Sequence, residues 1–255
     1  MNDLMCCQGL RVGRKGLRRI YVCDDVPMES LLSAVNTPGQ TLKQSTKGLV
    51  RRVEGWVLKT TYGTLKQTFR RSRYRRQWVA AHHLRRHGVG VPRPIAFVER
   101  RLLGIVFENT MVSEYLAGYR NVEVFMAALA HHGAGQDTVS LFLEGLADAV
   151  NRLTACGAHH ADLSGKNIFT KDGTSFVFID LDAVEVGREY TRDQRVKNHI
   201  QLYDSFCDTL SDTMLVPFIQ RMIPEGTDPR VWLPEVRKGQ AARRRRLEAR
   251  RERQR

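Results

Sequence analysis

The stretch His160-Ala161-Asp162-Leu163-Ser164-Gly165-Lys166-Asn167, continued by Ile168-Phe169-Thr170, Lys171-Asp172-Gly173 and Ser175-Phe176-Val177-Phe178-Ile179-Asp180, decides how this chain is read. Two short β-leaning runs flank an Asp-Gly turn, which predicts a hairpin with polar residues at both ends. The hairpin folds the chain back on itself, so Asp162 and Asn167 on the entering loop are expected near Asp180 at the exit. Two carboxylates and an amide oxygen are hard ligands, the kind Mg²⁺ takes alongside substrate phosphates.

Working outward, Lys59 ends the segment Val57-Leu58-Lys59 far upstream, placed to reach such phosphates, and the set has the parts of phosphoryl transfer. Taken singly, a turn aspartate, a turn asparagine and a strand-end cap explain Asp162, Asn167 and Asp180. As an ordered set with Lys59 they favour the phosphotransfer reading. Asp182 stays open between a second metal ligand and a cap. His160 reads as a core histidine that supports the loop backbone. His83 and His87 are four apart, but Arg85 and Arg86 beside them would repel a cation, so a surface role is expected.

The first half reads as strands and turns: Leu42 to Gln44, Leu49 to Val53, Trp56 to Thr60, Ile95 to Val98 and Leu102 to Val106. One helix, Leu65 to His87, stops at Gly88, and Trp78 on it reads as core packing. Beyond Gly118 the pattern is helical: Val122 to Ala130, then Thr138 to Cys156 with Val139, Phe142, Leu143, Leu146, Val150 and Leu153 on one face, Val196 to Leu210, and Met214 to Met222.

At 255 residues, with 42% hydrophobic and 27% charged residues, the composition excludes disordered, collagen-like and disulfide-scaffold chains. No apolar run nears the ~20 residues of a bilayer span. Residues 1–10 lack a secretory signal pattern, so a cytosolic location is expected. The five cysteines have no metal-pair spacing and read as free thiols. Of the net charge of +14, ten Lys/Arg against two Glu place +8 in residues 237–255, which read as a flexible basic arm. Lys66 to Arg86 adds eight more cations and no acid, suited to a phosphate-rich surface, with a solvated helix face as the equal alternative.

The order and spacing of Val57-x-Lys59, His160-x-Asp162-x4-Asn167 and Asp180 resemble the protein-kinase-like superfamily. Within it, Trp56-Val57-Leu58-Lys59, Arg76-Gln77-Trp78, Leu84-Arg85-Arg86-His87-Gly88-Val89-Gly90-Val91-Pro92-Arg93-Pro94, His160-Ala161-Asp162-Leu163 and Ile179-Asp180-Leu181-Asp182 resemble the bacterial lipopolysaccharide kinases, over roughly residues 40 to 210. The resemblance implies an α+β, two-lobed protein-kinase-like fold: an N-terminal ATP-binding lobe (1–112) that is β-rich with one helix, a hinge (113–118), a larger, mainly helical catalytic lobe (119–236) and the basic tail (237–255). It implies ATP and Mg²⁺ as cofactors. Asp162 would accept or orient the proton of a sugar hydroxyl, and Asn167 and Asp180 would hold the metal. Lys59 would contact the α- and β-phosphates, with the turn Ser45-Thr46-Lys47 over them, and backbone near Glu114 and Leu116 would bind adenine. The acceptor would be Kdo or heptose of the lipopolysaccharide inner core, with the enzyme peripheral at the cytoplasmic face of the inner membrane through the basic helix and tail.

The chain departs from the superfamily pattern where a glutamate usually pairs with the strand lysine. No Asp or Glu lies between Gly55 and Val98, and Gln77 takes the expected position, a neutral acceptor for Lys59. There is no Gly-x-Gly-x-x-Gly loop, Asp180-Leu181-Asp182 replaces Asp-Phe-Gly, and no Ala-Pro-Glu follows. These absences argue against a regulated protein kinase. A small-molecule or atypical protein kinase and a non-catalytic kinase-like binding module remain as alternatives; a nucleic-acid partner rests on the tail alone and is disfavoured.

Overall fold

A computed structural model describes residues 9–46, 48–62, 73–103, 105–188 and 190–253. The chain divides into two compact units, residues 1–86 with 91–117, and residues 87–90 with 118–255.

The first unit is built on one antiparallel sheet. Its strands are β1 (Leu10–Lys15), β2 (Arg18–Cys23), β3 (Gln40–Ser45), β4 (Gly48–Val53), β5 (Trp56–Tyr62), β6 (Pro94–Leu102) and β7 (Ile105–Glu114), in the order β1-β2-β6-β7-β5-β4-β3. Side chains alternate between the faces of a strand. Ile20, Val22, Leu58, Ala96, Val98 and Val112 therefore pack with Leu31, Leu32 and Val35 of helix α1 (Met28–Asn36). On the opposite face Tyr21, Phe97 and Met111 pack around Trp78 of helix α2 (Arg73–Arg86). Lys59 follows Leu58 and lies opposite Met111 in register, so it belongs to the α2 face. Gly48 lets β4 approach β5 closely: a Cβ there would lie 2.5 Å from the Thr60 carbonyl oxygen.

Two details differ from the sequence reading. Residues 10–36, unassigned there, supply β1, β2 and α1. The expected strand Leu102 to Val106 straddles a turn, because Leu103 takes a left-handed conformation (φ 51°) inside an apolar run with no turn residue before Gly104. Residues 65–72 of the expected helix lie outside the described residues.

In the second unit, α3 (Val122–His131) is capped by Asn121, whose side chain accepts from the Val124 amide. Helix α4 (Gln136–Ala155) buries the six apolar residues its periodicity marks. Short strands follow: β8 (Arg120–Asn121) pairs with β10 (Ile168–Thr170), which pairs with β11 (Phe176–Phe178), while β9 (Ala158–His160) pairs with β12 (Val184–Val186). Gly90 belongs to this unit, its carbonyl accepting from the Phe178 amide. Helices α5 (Arg192–Phe206), α6 (Asp212–Gln220) and α7 (Pro229–Glu252) complete it. No helix among the described residues is long and apolar enough to cross a membrane.

Helix α7 corrects the expected flexible arm: residues 237–252 are helical. Trp232 and Val236 are fully buried, and Gly239 lets the helix close on Ile200, whose Cδ1 would lie 2.2 Å from a Cβ. The arginines are not all solvated. Arg243 and Arg244 donate to Asp204 at 3.1 and 2.7 Å, Arg244 also reaches Asp208 at 2.7 Å, and Arg237 reaches Asp212 at 2.7 Å. Burial pushes the Asp204 carboxyl up, but the hydrogen bonds from Arg244, Gln240 and Arg243 outweigh it and hold the pKa below its ordinary value. Asp204→Ala should therefore cost about 2–3 kcal/mol, leaving two guanidinium groups short of their acceptor, and denaturant unfolding measures this.

His199 accepts from the Trp232 indole at 2.8 Å, and burial lowers its pKa from 6.5 to about 4; His82, half-buried and near Arg86 and Arg85, is likewise lowered to about 4. Above pH 6.5 neither the folded nor the unfolded chain protonates these groups. Below it the unfolded chain gains protons that the folded chain refuses, so stability falls as the pH drops. Unfolding midpoints should decline between pH 6.5 and about 5, before carboxylates contribute, and decline less in His199→Gln.

Candidate active site

His160 is fully buried, and its two ring nitrogens join two segments. Nδ1 accepts from the Asp162 amide at 3.2 Å, so the proton sits on Nε2, which donates to the Ile179 carbonyl at 2.9 Å. Burial chiefly depresses its pKa and keeps the ring neutral, the state this bridging needs. The residue thus holds the loop before β10 against the residue preceding Asp180, in the supporting role the sequence assigns it. A second tie runs from the Ile179 amide to the Asn167 carbonyl, 2.9 Å.

The Asn167 amide is oriented by its partners: Nδ2 donates to the Asp162 carbonyl at 2.9 Å and to Asp162 Oδ2 at 3.0 Å. With both hydrogens directed at Asp162, Oδ1 is turned away as an acceptor. Asp162 itself is exposed. Asp180 has a left-handed backbone (φ 57°, ψ 44°), which a short polar residue tolerates better than most, and Leu181–Ala183 form a 3₁₀ turn immediately after it. Asp182, in this turn, is buried at 8% exposure.

Sequence reasoning missed what fixes this loop. Helix α5 turns Asn198, Gln201 and Ser205 toward it at spacings of three and four, one helical face. Asn198 Nδ2 donates to the His160 carbonyl at 2.8 Å. Gln201 Oε1 accepts from the Leu163 amide at 2.9 Å, and its Nε2 donates to the Ala161 carbonyl at 3.2 Å and to Asp162 Oδ1 at 3.4 Å. Ser205 Oγ accepts from the Gly165 amide at 2.8 Å. Tyr190 donates to Asn198 and closes the network. The signal was an amide stripe on a helix that otherwise buries Val196, Leu202 and Phe206.

In the first unit, Lys59 is half-buried on the α2 face. Gln77 Oε1, expected to accept from it, is buried without a hydrogen-bond partner. The Glu114 amide donates to the Arg93 carbonyl at 2.9 Å, and the Tyr115 amide to the Gly55 carbonyl at 2.8 Å, which fixes the chain leading to Leu116. Ser45 Oγ donates to the Gly48 carbonyl across the turn that includes Thr46, while Lys47 lies outside the described residues. Among the described residues, no cluster of three or more His, Cys, Asp or Glu could hold a metal ion.

A mixed unit of sheet and helix followed by a mainly helical unit that carries this loop defines a kinase-like fold. A solved structure described as WaaP in complex with acyl carrier protein matches with a TM-score of 0.64 and 18% identity, covering 86% of this chain and 92% of that one. A family model, lipopolysaccharide kinase (Kdo/WaaP) family, matches residues 43–220, and the chain belongs to that family of phosphotransferases. No curated protein matches it in sequence. Matches extend to 1440 solved chains, so the shape alone does not set the substrate.

Proposed function

We propose that this chain transfers the γ-phosphoryl group of ATP to a hydroxyl of Kdo or heptose in the lipopolysaccharide inner core. The observation that carries the reading is the fixed Asp162 carboxylate. Asn167 and Gln201 each donate to one of its oxygens, in a loop tied through His160 to the residue before Asp180. Asp162 would orient the acceptor hydroxyl and take up its proton, and the two donors confine its carboxylate to one orientation.

Asn167 Oδ1 and the Asp180 carboxylate fit a Mg²⁺ ion that takes few protein ligands and completes its shell with phosphates and water. Bound there, the ion would neutralise charge on the β- and γ-phosphates. Lys59 would contact the α- and β-phosphates, the turn at Ser45, Thr46 and Lys47 would cover them, and backbone from Glu114 to Leu116 would receive adenine. The family match supports these assignments. The acceptor glycolipid sits in a membrane, so the protein would work at the cytoplasmic face of the inner membrane, with exposed arginines of α2 and α7 toward anionic lipid.

Purified protein should consume ATP when given lipopolysaccharide core oligosaccharide and Mg²⁺. Asp162→Ala and Asp180→Asn should each lower kcat by at least about a hundredfold with little change in Tm, since both side chains act on the reaction rather than the core. Lys59→Met should chiefly raise the KM for ATP. Equal turnover by Asp162→Ala would end this assignment.

A further inference from the structure

Two hairpin tips lie side by side in the first unit, and each sets exposed leucine next to basic residues. The β1–β2 tip reads Arg14-Lys15-Gly16-Leu17-Arg18-Arg19, and the β6–β7 tip reads Arg100-Arg101-Leu102-Leu103-Gly104-Ile105. They are joined by a hydrogen bond from the Arg101 amide to the Leu17 carbonyl, 2.8 Å. Leu17 stands out between cations at the first tip, and Leu102 and Leu103 follow Arg100 and Arg101 at the second: Leu17 is 47% exposed, Leu102 54% and Leu103 94%.

Neither folding nor turn chemistry accounts for this arrangement. Leu103 occupies a left-handed position where glycine or asparagine is the local preference, and its side chain packs on almost nothing. Arg14 lies directly opposite Arg19, and Lys15 opposite Arg18, two successive like-charge pairs that weaken a two-stranded ladder. Glu99 lies opposite Arg19 in register, but its ion pair is with Arg101 at 2.6 Å, and Glu108 is engaged by Arg100 at 3.3 Å. Arg18 donates to the neutral Asn36, and Arg19 lies over the Tyr21 ring. Among the described residues, Arg14, Lys15, Arg18 and Arg19 form no ion pair. Val12, Arg14, Leu17, Arg18, Arg101 and Leu103 line an open groove between the tips.

We propose that these two tips form a seat for an anionic phospholipid bilayer, with Leu17, Leu102 and Leu103 entering the headgroup–acyl boundary and the flanking cations on lipid phosphates. An acidic protein would satisfy the charges but gives no reason for leucines raised beyond them, whereas a bilayer takes both, apolar tips inward and long cationic side chains at the phosphate level. The seat deepens the proposed membrane-glycolipid reading and differs from the α2 and α7 arginines invoked there. It rests on that reading only for its biological use, since binding is measured without turnover.

The full chain should co-sediment with phosphatidylglycerol-containing vesicles and poorly with pure phosphatidylcholine. Arg14→Gln/Lys15→Gln/Arg18→Gln should weaken the partition by more than about tenfold at low salt. Leu17→Ser/Leu103→Ser should weaken it by about tenfold and leave a remainder abolished by high salt. Because substitutions at a tip can disturb the hairpin, Leu103→Trp supplies a direct reading: its emission should shift to the blue on anionic vesicles. Binding that survives both multiple variants, or is lost only in Arg245→Gln/Arg246→Gln/Arg250→Gln/Arg251→Gln, overturns the proposal. So does a charge-dependent but leucine-independent affinity for polyglutamate equal to that for vesicles, which would point to an acidic protein. Turnover on lipid-free core oligosaccharide should be unchanged in the tip variants; absence of turnover in the unaltered protein, with vesicle binding intact, would sink the kinase reading and leave the seat standing.

Discussion

The second unit depends on how buried polar groups hold one loop. Residues 161–167 follow a short strand that ends at His160 and run through a 3₁₀ turn, so few of their backbone groups are satisfied by sheet or helix. An unpaired buried amide or carbonyl costs about 1–3 kcal/mol. Helix α5 removes that cost for the His160, Ala161, Leu163 and Gly165 backbone with three side chains from one face. The same contacts leave the Asp162 carboxylate exposed yet restrained. Rigidity behind the loop and access in front of it have one cause, a polar face on a helix that would pack equally well with leucines if only stability mattered.

The folding of this loop back against the residue before Asp180 was legible because the spacing is short and the residue types are restrictive. His160, Asp162, Asn167 and Asp180 all fall within one hairpin and its approaches, where local sequence controls geometry. The partners on α5 were not legible, because Asn198 and Gln201 meet the loop from 38 to 40 residues away, and in sequence amides on a helix look like a solvated face. Leu102 to Val106 misled for the opposite reason: its apolar β-branched run obeys strand preference while Leu103 turns the chain against it. Residues 10–36 carry strand and helix patterns in Arg18 to Cys23 and Met28 to Asn36, but no chemical motif ties them to the lysine strand.

Charge shows most clearly how composition and structure part company. A tail with ten cations and two acids reads as disordered because self-repulsion should keep it extended. What reverses this is acid placed elsewhere: Asp204, Asp208 and Asp212 on and after α5 pair with Arg237, Arg243 and Arg244, and Gly239 permits the close approach that makes those pairs short. Arg243 and Arg244 are thus structural, whereas Arg245, Arg246, Arg250, Arg251 and Arg253 are exposed.

The same accounting, applied to the first unit, gives the opposite result. Its sheet carries acids at Glu99 and Glu108, but each pairs with an arginine of β6, even though Glu99 lies opposite Arg19 in register. On an antiparallel ribbon opposed like charges are neighbours by register, so Arg14 with Arg19 and Lys15 with Arg18 repel in the folded state in a way they need not in the unfolded one. Cations that oppose folding, next to leucines that gain nothing from it, are better accounted for by an external anionic, partly apolar surface than by the stability of the sheet.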